Sequence, residues 1–378
     1  MTDAPCVVVV DVSRKFGGAS ARALGMIAGY PSGRAVLACV GGSPVLAEAR
    51  RRGIPAVVVG RHKLDPRIAG RLDSVARSHA CTVLDSQNVQ SQWFAARAAR
   101  ASGLALVSTL NSWYADEHRG GWKGRIYQGL QRRSASRTDG FIAVSREIAG
   151  RLRAEGIDAG SIAVIPNAVT IDPESIASGE PLRQSLGLPH KAALVVAVGR
   201  LVPAKGYADL VDAIALLEDH HVHVVIVGEG ESRREIEARI ASRGLSRRIR
   251  LLGEVAPAQA LRWIKASDLF VMASVTEGTP VALLEAAALG APIVTTSAGG
   301  IPDVVEDVVH ARIVPPAEPA GLASAIRSTL LDPALARAMG ERARRHVESR
   351  HGIAAQIQAT IVAYAGAIER CRRAAIRA

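Results

Sequence analysis

The chain has 378 residues, of which 48% are hydrophobic but only 3% aromatic, and its formal net charge is +12. The length favours two domains, and the scarcity of aromatics predicts cores of Val, Ile, Leu and Ala, as in parallel sheets buried on both faces. The charge indicates anionic partners, but the basic residues form no run of five and few aromatics could stack on bases, which argues against nucleic-acid binding.

The N-terminus, MTDAPCVVVVDV, lacks the basic start and the cleavage site of a signal peptide. No uninterrupted apolar run reaches the roughly 18 residues that a membrane-spanning helix needs. Cys6, Cys39, Cys81 and Cys371 show neither paired nor metal-ligand spacing. We therefore expect reduced, buried thiols, no metal site and a cytosolic protein.

Short apolar segments alternate with helix-length segments twice along the chain. The predicted strands cover residues 6–10, 35–40, 56–59, 82–84, 104–108, 141–144 and 162–165, and then 193–198, 222–227, 249–252, 269–272, 292–295 and 312–314. This α/β alternation predicts two doubly wound, Rossmann-like domains facing a central cleft, with ligands beyond the carboxyl ends of the strands. We expect an N-terminal domain over 1–170, a linker over 171–190, a C-terminal domain over 191–350 and a final helix over 351–378.

Polar loops follow several predicted strands of the first domain. Gly17 and Gly18 precede a helix, so their backbone could approach a phosphate at its N-terminus, although an ordinary strand–helix turn is equally compatible. Residues 85–88 and 109–114, which include Asn111, follow the fourth and fifth strands. We expect these loops to lie at one edge of the sheet.

Residues 119–137 contain a concentration of basic side chains: Arg119, Lys123, Arg125, Arg132, Arg133 and Arg137. A solvated helix face accounts for such a stretch, and so does a patch that docks on an anionic membrane or a lipid-linked phosphate. The sequence leaves both interpretations open.

The first strand of the second domain leads into GRLVPAKG, residues 199–206. After Gly199, Arg200 offers a planar fork and Lys205 a point charge, and phosphate recognition uses both types of cation. Gly230 and the segment from Gly253 to Val255 follow the next two strands, where backbone can pass close to a ligand. The sequence therefore predicts an anion site at this edge.

The loop and helix of residues 274–302, SVTEGTPVALLEAAALGAPIVTTSAGGIP, complete this site. Thr279, after Gly278, is predicted as the N-cap and Pro280 as the first helical residue, with a stop at Gly290. The free amides after Pro280, from Val281 onward, favour oxygen-rich anions.

Two carboxylates flank this predicted anion pocket: Glu277 lies in the loop and Glu285 about two turns into the helix. Carboxylates only accept hydrogen bonds, so in such a pocket they suit the hydroxyl groups of sugars and riboses.

The spacing of Glu277 and Glu285 within EGTPVALLEAAALGAPIV resembles the glutamate–seven residues–glutamate motif of retaining glycosyltransferases of family GT4, which have the GT-B fold. GRLVPAKG likewise resembles the GRL…KG turn of that family. The resemblance spans nearly the whole chain; it is strong from Val198 to Pro302 and diffuse in the first half.

The resemblance implies a role for each motif. Glu277 would contact the transferred sugar, Glu285 would hold the ribose, and Arg200 and Lys205 would grip the donor diphosphate. The glycine pair at residues 17–18 matches the glycine-rich loop after the first strand of GT-B transferases. Residues 252–255 match the strand end that presents backbone groups to the nucleobase.

One position departs from the family pattern. Asn111 stands where many relatives carry a histidine that helps to bind the donor sugar. An amide can still donate and accept hydrogen bonds, so sugar binding can persist without the imidazole.

The resemblance thus implies a metal-independent, cofactor-free retaining glycosyltransferase with Arg200, Lys205 and Glu277 as catalytic residues. A nucleoside diphosphate sugar would be the donor, bound by the C-terminal domain. A saccharide, lipid-linked saccharide or other glycan hydroxyl would be the acceptor, selected by the N-terminal domain. The final helix would cross back onto the N-terminal domain, and the enzyme would be cytoplasmic, at times at the cytoplasmic face of a membrane. The alternatives are a GT-B epimerase or phosphorylase, or a non-catalytic nucleotide-sugar-binding module, which Asn111 permits.

Overall fold

The computed structural model describes residues 4–14, 16–113, 137–188, 192–218 and 221–377. The chain forms two compact units: Met1–Ala168 with Ile353–Ala378, and Val169–Gly352. Strands of the first unit are β1 Val7–Asp11, β2 Ala35–Val40, β3 Ala56–Gly60, β4 Val83–Ser86, β5 Ala105–Leu110, β6 Gly140–Ala143 and β7 Ile162–Val164. Those of the second are β8 Ala193–Val198, β9 Val222–Val227, β10 Ile249–Gly253, β11 Leu269–Met272, β12 Ile293–Thr296 and β13 Arg312–Val314.

Helices connect most of these strands. The first unit has α1 Gly18–Gly29, α2 Pro44–Arg51, α3 Ile68–Ser78, α4 Val89–Ser102 and α5 Arg146–Ala154. The second has α6 Glu180–Ser185, α7 Tyr207–Ala215, α8 Arg233–Ser242, α9 Pro257–Ala266, α10 Val281–Ala288, α11 Pro319–Leu331 and α12 Pro333–Arg350, and α13 Ile353–Arg377 ends the chain. Every predicted strand is present, with ends that differ by at most two residues.

Both sheets are parallel. Their strand orders are β3-β2-β1-β4-β5-β6-β7 and β10-β9-β8-β11-β12-β13. Apolar clusters cover the two faces of each sheet. Central strands, such as VVVVD in β1, are therefore buried along their whole length. The low aromatic content is therefore explained by strands of Val, Ile and Ala packed between helices.

The segment predicted as a linker belongs to the second unit over its described part. It contains α6, whose Arg183 donates hydrogen bonds to the Ala266 carbonyl at 3.0 Å and to Asp268 Oδ2 at 2.8 Å. The Pro and Gly residues of this segment flank a short helix. The hydrogen bonds of Arg183 hold that helix against the rest of the second unit.

The last helix, α13, belongs to the first unit, which is where the family resemblance places it. Tyr364 donates a hydrogen bond to Asp85 Oδ2 at 2.6 Å, and Gln356 Nε2 donates to the Pro166 carbonyl at 3.0 Å. Among the described residues, no helix is both long and apolar enough to cross a bilayer.

The cysteine prediction is wrong for one pair. Cys6 and Cys81 form a disulfide with their Cα atoms 4.3 Å apart, whereas Cys39 is a free, buried thiol and Cys371 a free thiol that is only partly buried. The two paired residues precede β1 and β4, which are neighbours in the sheet although 75 residues separate the cysteines. Sequence spacing alone could not show this adjacency.

Candidate active site

The loops that carry the predicted catalytic residues lie where the strand order of the second sheet reverses. β8 lies between β9 and β11, and the chain continues from β8 to one side and later returns to the other. In doubly wound sheets, ligands bind at such a switch point, beyond the carboxyl ends of the strands. Arg200 and Lys205 follow β8, and Glu277 follows β11.

Lys205 and Glu277 form an ion pair across these two loops, with Nζ 2.5 Å from Oε1. The Glu277 side chain is 8% exposed and the Lys205 side chain 21%. Ser274 Oγ donates to the same carboxylate oxygen at 2.6 Å and so fixes its position. An ammonium group has three N–H donors, so Lys205 keeps donors for a phosphate while it bonds Glu277.

The backbones of the two loops touch directly at Gly206. This glycine has φ +62°, and a Cβ atom there would lie 1.9 Å from the Ala273 carbonyl oxygen. Beside it, Val275 N donates to the Ala204 carbonyl at 2.9 Å. The lysine turn and the glutamate loop are therefore held together by main-chain contacts as well as by the ion pair.

Gly299 and Gly300 support Glu277 from the other side. Gly299 has φ +57°, and a Cβ atom there would lie 1.9 Å from the Glu277 carbonyl oxygen, while Gly300 N donates to that oxygen at 3.3 Å. These two glycines therefore lie directly against the backbone of Glu277 and help to position it.

The glycines that follow β9 also pack against the lysine turn. A Cβ atom on Gly228 would lie 1.9 Å from the Gly199 carbonyl oxygen, and one on Gly230 would lie 2.2 Å from that of Leu201. Gly253, with φ +80°, accepts a hydrogen bond from Gly228 N at 2.8 Å. Close backbone contact thus accounts for glycine at positions 228 and 230, and the positive φ angle accounts for glycine at position 253.

Two other residues predicted to contact the ligand, Arg200 and Val255, lie at the same edge of the sheet. Arg200 lies in the lysine turn with an exposed side chain, and Val255 follows β10, partly buried against the core of the second unit.

The predicted N-cap of α10 is wrong by one residue. The helix begins at Val281, and Pro280, with ψ 119°, occupies the N-cap position assigned to Thr279. Proline takes this extended conformation readily, but its side chain cannot cap a helix. Since the first intrahelical bond runs from Leu284 N to the Pro280 carbonyl, the amides of residues 281–283 lack intrahelical acceptors and remain suited to an anion.

Glu285 is distinct from Glu277 in that no described residue pairs with its carboxylate. The side chain keeps some accessible surface, yet protein atoms surround it closely, and burial raises its pKa to about 7. The carboxylate is therefore a hydrogen-bond acceptor to which no described residue donates. The hydroxyl groups of a ribose would satisfy it.

This raised pKa predicts how stability depends on pH. The folded-state pKa lies above the ordinary value of 4.5, so the contribution of Glu285 to the free energy of unfolding is full at low pH and is lost as pH rises towards 7. Between pH 4.5 and 8 we expect a loss of up to about 3 kcal/mol that Glu285→Gln lacks. Urea unfolding of both proteins across this range measures it, and parallel curves would contradict it.

In the first unit, Gly17 occupies the N-cap of α1 and Gly18 is the first residue of the helix. No side chain caps this end, and open space lies around the position of a Cβ atom on Gly17. A ligand could therefore approach the backbone here, as the sequence predicts.

Asn111 is held by its neighbour Gln87. Asn111 Nδ2 donates to the Gln87 carbonyl at 3.3 Å and to Gln87 Oε1 at 3.4 Å. Its own Oδ1 is buried with no hydrogen-bond partner among the described residues. The amide thus offers a free acceptor, as a neutral histidine would through the ring nitrogen that carries no proton.

Sequence reasoning missed a buried polar network behind Asn111. Asp85 accepts hydrogen bonds from Tyr364, Thr109 and Gln87 at 2.6, 2.8 and 2.9 Å. Burial nevertheless raises the Asp85 pKa to about 6. The polar run at residues 85–88, which begins in the last two residues of β4, was the available signal, but it does not reveal that Tyr364, from the distant α13, completes the network.

The basic stretch, which the sequence leaves open as a solvated helix face or a membrane-docking patch, lies outside the described residues over 119–136, and only Arg137 is within them. Over the described ranges, no three His, Cys, Asp or Glu side chains are grouped so that they could hold a metal ion.

Comparisons with known proteins agree with this architecture. The model described as "Glycosyltransferase Family 4" matches residues 16–173, and "Glycosyl transferases group 1" matches residues 179–346. The D-inositol 3-phosphate glycosyltransferase of Streptomyces avermitilis is 32% identical over 62% of this chain and 53% of its own length. The 2-deoxystreptamine glucosyltransferase of Streptomyces kanamyceticus is 30% identical over 55% and 56%. The matched part of the chain thus spans about half the length of these relatives.

Solved structures show the same fold. Anabaena Alr3699/HepE in complex with UDP-glucose has a TM-score of 0.82 at 24% identity, covering 95% of this chain and 98% of that one. Sucrose-phosphate synthase from Thermosynechococcus elongatus has a TM-score of 0.78 at 20% identity, covering 94% and 96%. The predicted GT-B fold class, with two Rossmann-like domains, is confirmed. Since the two family models fall on the two units, this chain belongs to the family 4 glycosyltransferases, with a group 1 glycosyl transferase sequence in its second unit.

Proposed function

We propose that this protein is a retaining glycosyltransferase that moves a sugar from a nucleoside diphosphate to an acceptor hydroxyl. The observation that carries the proposal is the Lys205–Glu277 pair at the switch point of the second sheet, beside the free amides of α10. Cations and amides favour the diphosphate, while the unpaired carboxylate of Glu285 and the remaining acceptor positions of Glu277 favour sugar hydroxyls. The site therefore offers complementary groups to both halves of a nucleotide sugar.

The chemistry follows from where charge develops. As the bond between the anomeric carbon and the phosphate oxygen breaks, the electron pair remains on the leaving diphosphate. Lys205, Arg200 and the first amides of α10 are fixed cations and dipoles that stabilise this charge in the transition state. Glu277 orients the hydroxyl groups of the sugar, and Glu285 those of the ribose. The leaving phosphate accepts the proton of the acceptor hydroxyl on the same face.

We propose a UDP-sugar as the donor, since structures with the same fold contain UDP and UDP-glucose. The acceptor would be a hydroxyl of a saccharide, a lipid-linked saccharide or another glycan. The names of the relatives add inositol phosphate and aminocyclitol rings to the compounds worth assaying.

An assay with purified protein tests the proposal. We expect UDP release from UDP-glucose to rise when acceptors are added, and to persist in EDTA because protein cations serve the diphosphate. Conversion of the donor without any acceptor would instead indicate an epimerase, and visible absorbance of a bound pyridoxal phosphate would indicate a phosphorylase. If the protein binds UDP but shows no turnover, the result would indicate a non-catalytic binding module.

We also propose a cytoplasmic location with peripheral contact at an anionic membrane. The net charge of +12 supports it, because each Lys or Arg near such a surface contributes about 1 kcal/mol. Cosedimentation with anionic and neutral vesicles tests the contact, which should weaken as salt is added.

A further inference from the structure

The hydroxyl group of Tyr207 lies at the lysine turn. Tyr207 begins α7, and its ring is buried in the core of the second unit with 5% of the residue exposed. A Cβ atom on Gly199 would lie 3.0 Å from Tyr207 Oη and 3.7 Å from Lys205 Cε. The hydroxyl and the lysine side chain therefore border the same space above the Gly199 backbone.

The Tyr207 hydroxyl has no hydrogen-bond partner among the described residues. The hydroxyl groups of the other two described tyrosines, Tyr30 and Tyr364, both have one. Tyr30 donates to the Pro5 carbonyl at 3.0 Å, and Tyr364 donates to Asp85 at 2.6 Å. A phenylalanine would fill the same core position without the cost of desolvating a hydroxyl group. The oxygen of Tyr207 is therefore better explained by a partner that comes from outside the protein.

The surroundings indicate the chemistry of that partner. Burial, together with the negative charge of Glu277, raises the pKa of Tyr207, so the group stays protonated and can donate a hydrogen bond. The aliphatic part of the Lys205 side chain borders the same space, with Cε and Cδ 3.7 and 3.8 Å from the position of a Gly199 Cβ atom, and its ammonium group bonds Glu277. The phenol and the ammonium group are hydrogen-bond donors on neighbouring side chains, and together they suit an anionic oxygen.

We propose that Tyr207 is a further substrate-contacting residue, whose hydroxyl group donates a hydrogen bond to an oxygen of the donor diphosphate beside Lys205. This inference rests on the proposed function. No proton is transferred: the hydrogen bond strengthens as the anomeric bond breaks and the electron pair settles on the phosphate oxygen. The residue thus stabilises the leaving group, in addition to the cations of the turn.

The experiment compares Tyr207→Phe with Tyr30→Phe, each of which removes one buried hydroxyl group. Donor turnover with UDP-glucose, UDP affinity and the melting temperature are measured for both variants and the wild type. We expect kcat/KM to fall about tenfold in Tyr207→Phe, with weaker UDP binding and a melting temperature no lower than that of the wild type. Tyr30→Phe should keep its activity but melt earlier, because it loses its bond to Pro5.

The inference is overturned if Tyr207→Phe keeps wild-type kcat/KM and UDP affinity, or if its loss of activity comes with a drop in melting temperature as large as that of Tyr30→Phe. A wild-type protein that neither binds UDP nor turns over UDP-glucose would overturn the proposed function itself. The wild-type measurement therefore separates the two failures.

Discussion

Replacing Lys205 with alanine is expected to lower kcat/KM for the UDP-sugar about 10- to 100-fold. Hydrogen bonds to charged groups contribute about 1.5–3 kcal/mol, and 1.4 kcal/mol corresponds to a factor of ten in rate. The fold should survive, because Ser274 still donates to Glu277 and the backbone bond from Val275 to Ala204 remains. The unpaired Glu277 carboxylate should lower the free energy of unfolding by about 1–3 kcal/mol.

Lys265→Ala is the matched control, since Lys265 lies in the same unit and donates to the backbone carbonyls of Pro173 and Ile176. It should leave turnover unchanged. Turnover assays and urea unfolding are run on both variants, and on Arg200→Ala, for which we expect a similar loss of turnover. Activity of Lys205→Ala equal to that of Lys265→Ala would remove Lys205 from the mechanism.

Gly299→Ala is expected to damage both the fold and the site. Gly299 has φ +57°, which costs an L-residue roughly 1–2 kcal/mol, and its Cβ atom would lie 1.9 Å from the Glu277 carbonyl oxygen. The backbone around Glu277 must shift to relieve this contact. We expect a loss of unfolding free energy of about 2–5 kcal/mol and at least tenfold weaker binding of UDP, because Glu277 and its bond to Lys205 move with the loop.

Gly244→Ala provides the comparison at a similar backbone conformation. Gly244 has φ +69°, but nothing lies within 4 Å of the position of its Cβ atom. This variant should lose only the conformational cost, about 1–2 kcal/mol, and should bind UDP normally. Equal stability and equal UDP affinity of the two variants would show that the contact between Gly299 and Glu277 does not position the site.

The fold could be predicted almost completely from the sequence because parallel strands buried on both faces read as continuous apolar runs. β8 and β11 are recovered with their observed ends for this reason. The ends of helices that depend on a single side chain were harder to predict from the sequence. The start of α10 differs by one residue because proline tolerates both the N-cap and the first helical position, so the pattern at Thr279–Pro280 allows either.

Parts of the site were visible as motifs, and others were not. The GRLVPAKG turn and Glu277 could be named from their sequence context, but the ion pair between Lys205 and Glu277 could not, because it depends on the sheet order that makes β8 and β11 neighbours. No motif in the sequence distinguishes Tyr207. Only the structure places its hydroxyl group above Gly199.

Contacts between residues distant in sequence were out of reach for the same reason. The Cys6–Cys81 pair bridges 75 residues, and the bond from Tyr364 to Asp85 bridges 279. Each joins elements whose adjacency follows from the topology of the first unit rather than from any local pattern. To predict such contacts, one must know the order of the strands and the path of the last helix.

Hydrogen exchange of the backbone amides, with and without UDP, tests the central claim most directly, since that claim places a nucleoside diphosphate between the Lys205 turn and the start of α10. We expect UDP to slow exchange in peptides that cover residues 199–206 and 277–285, while a peptide covering α8 stays unchanged. Unaltered exchange in both segments at saturating UDP, or protection confined to other parts of the chain, would contradict the account.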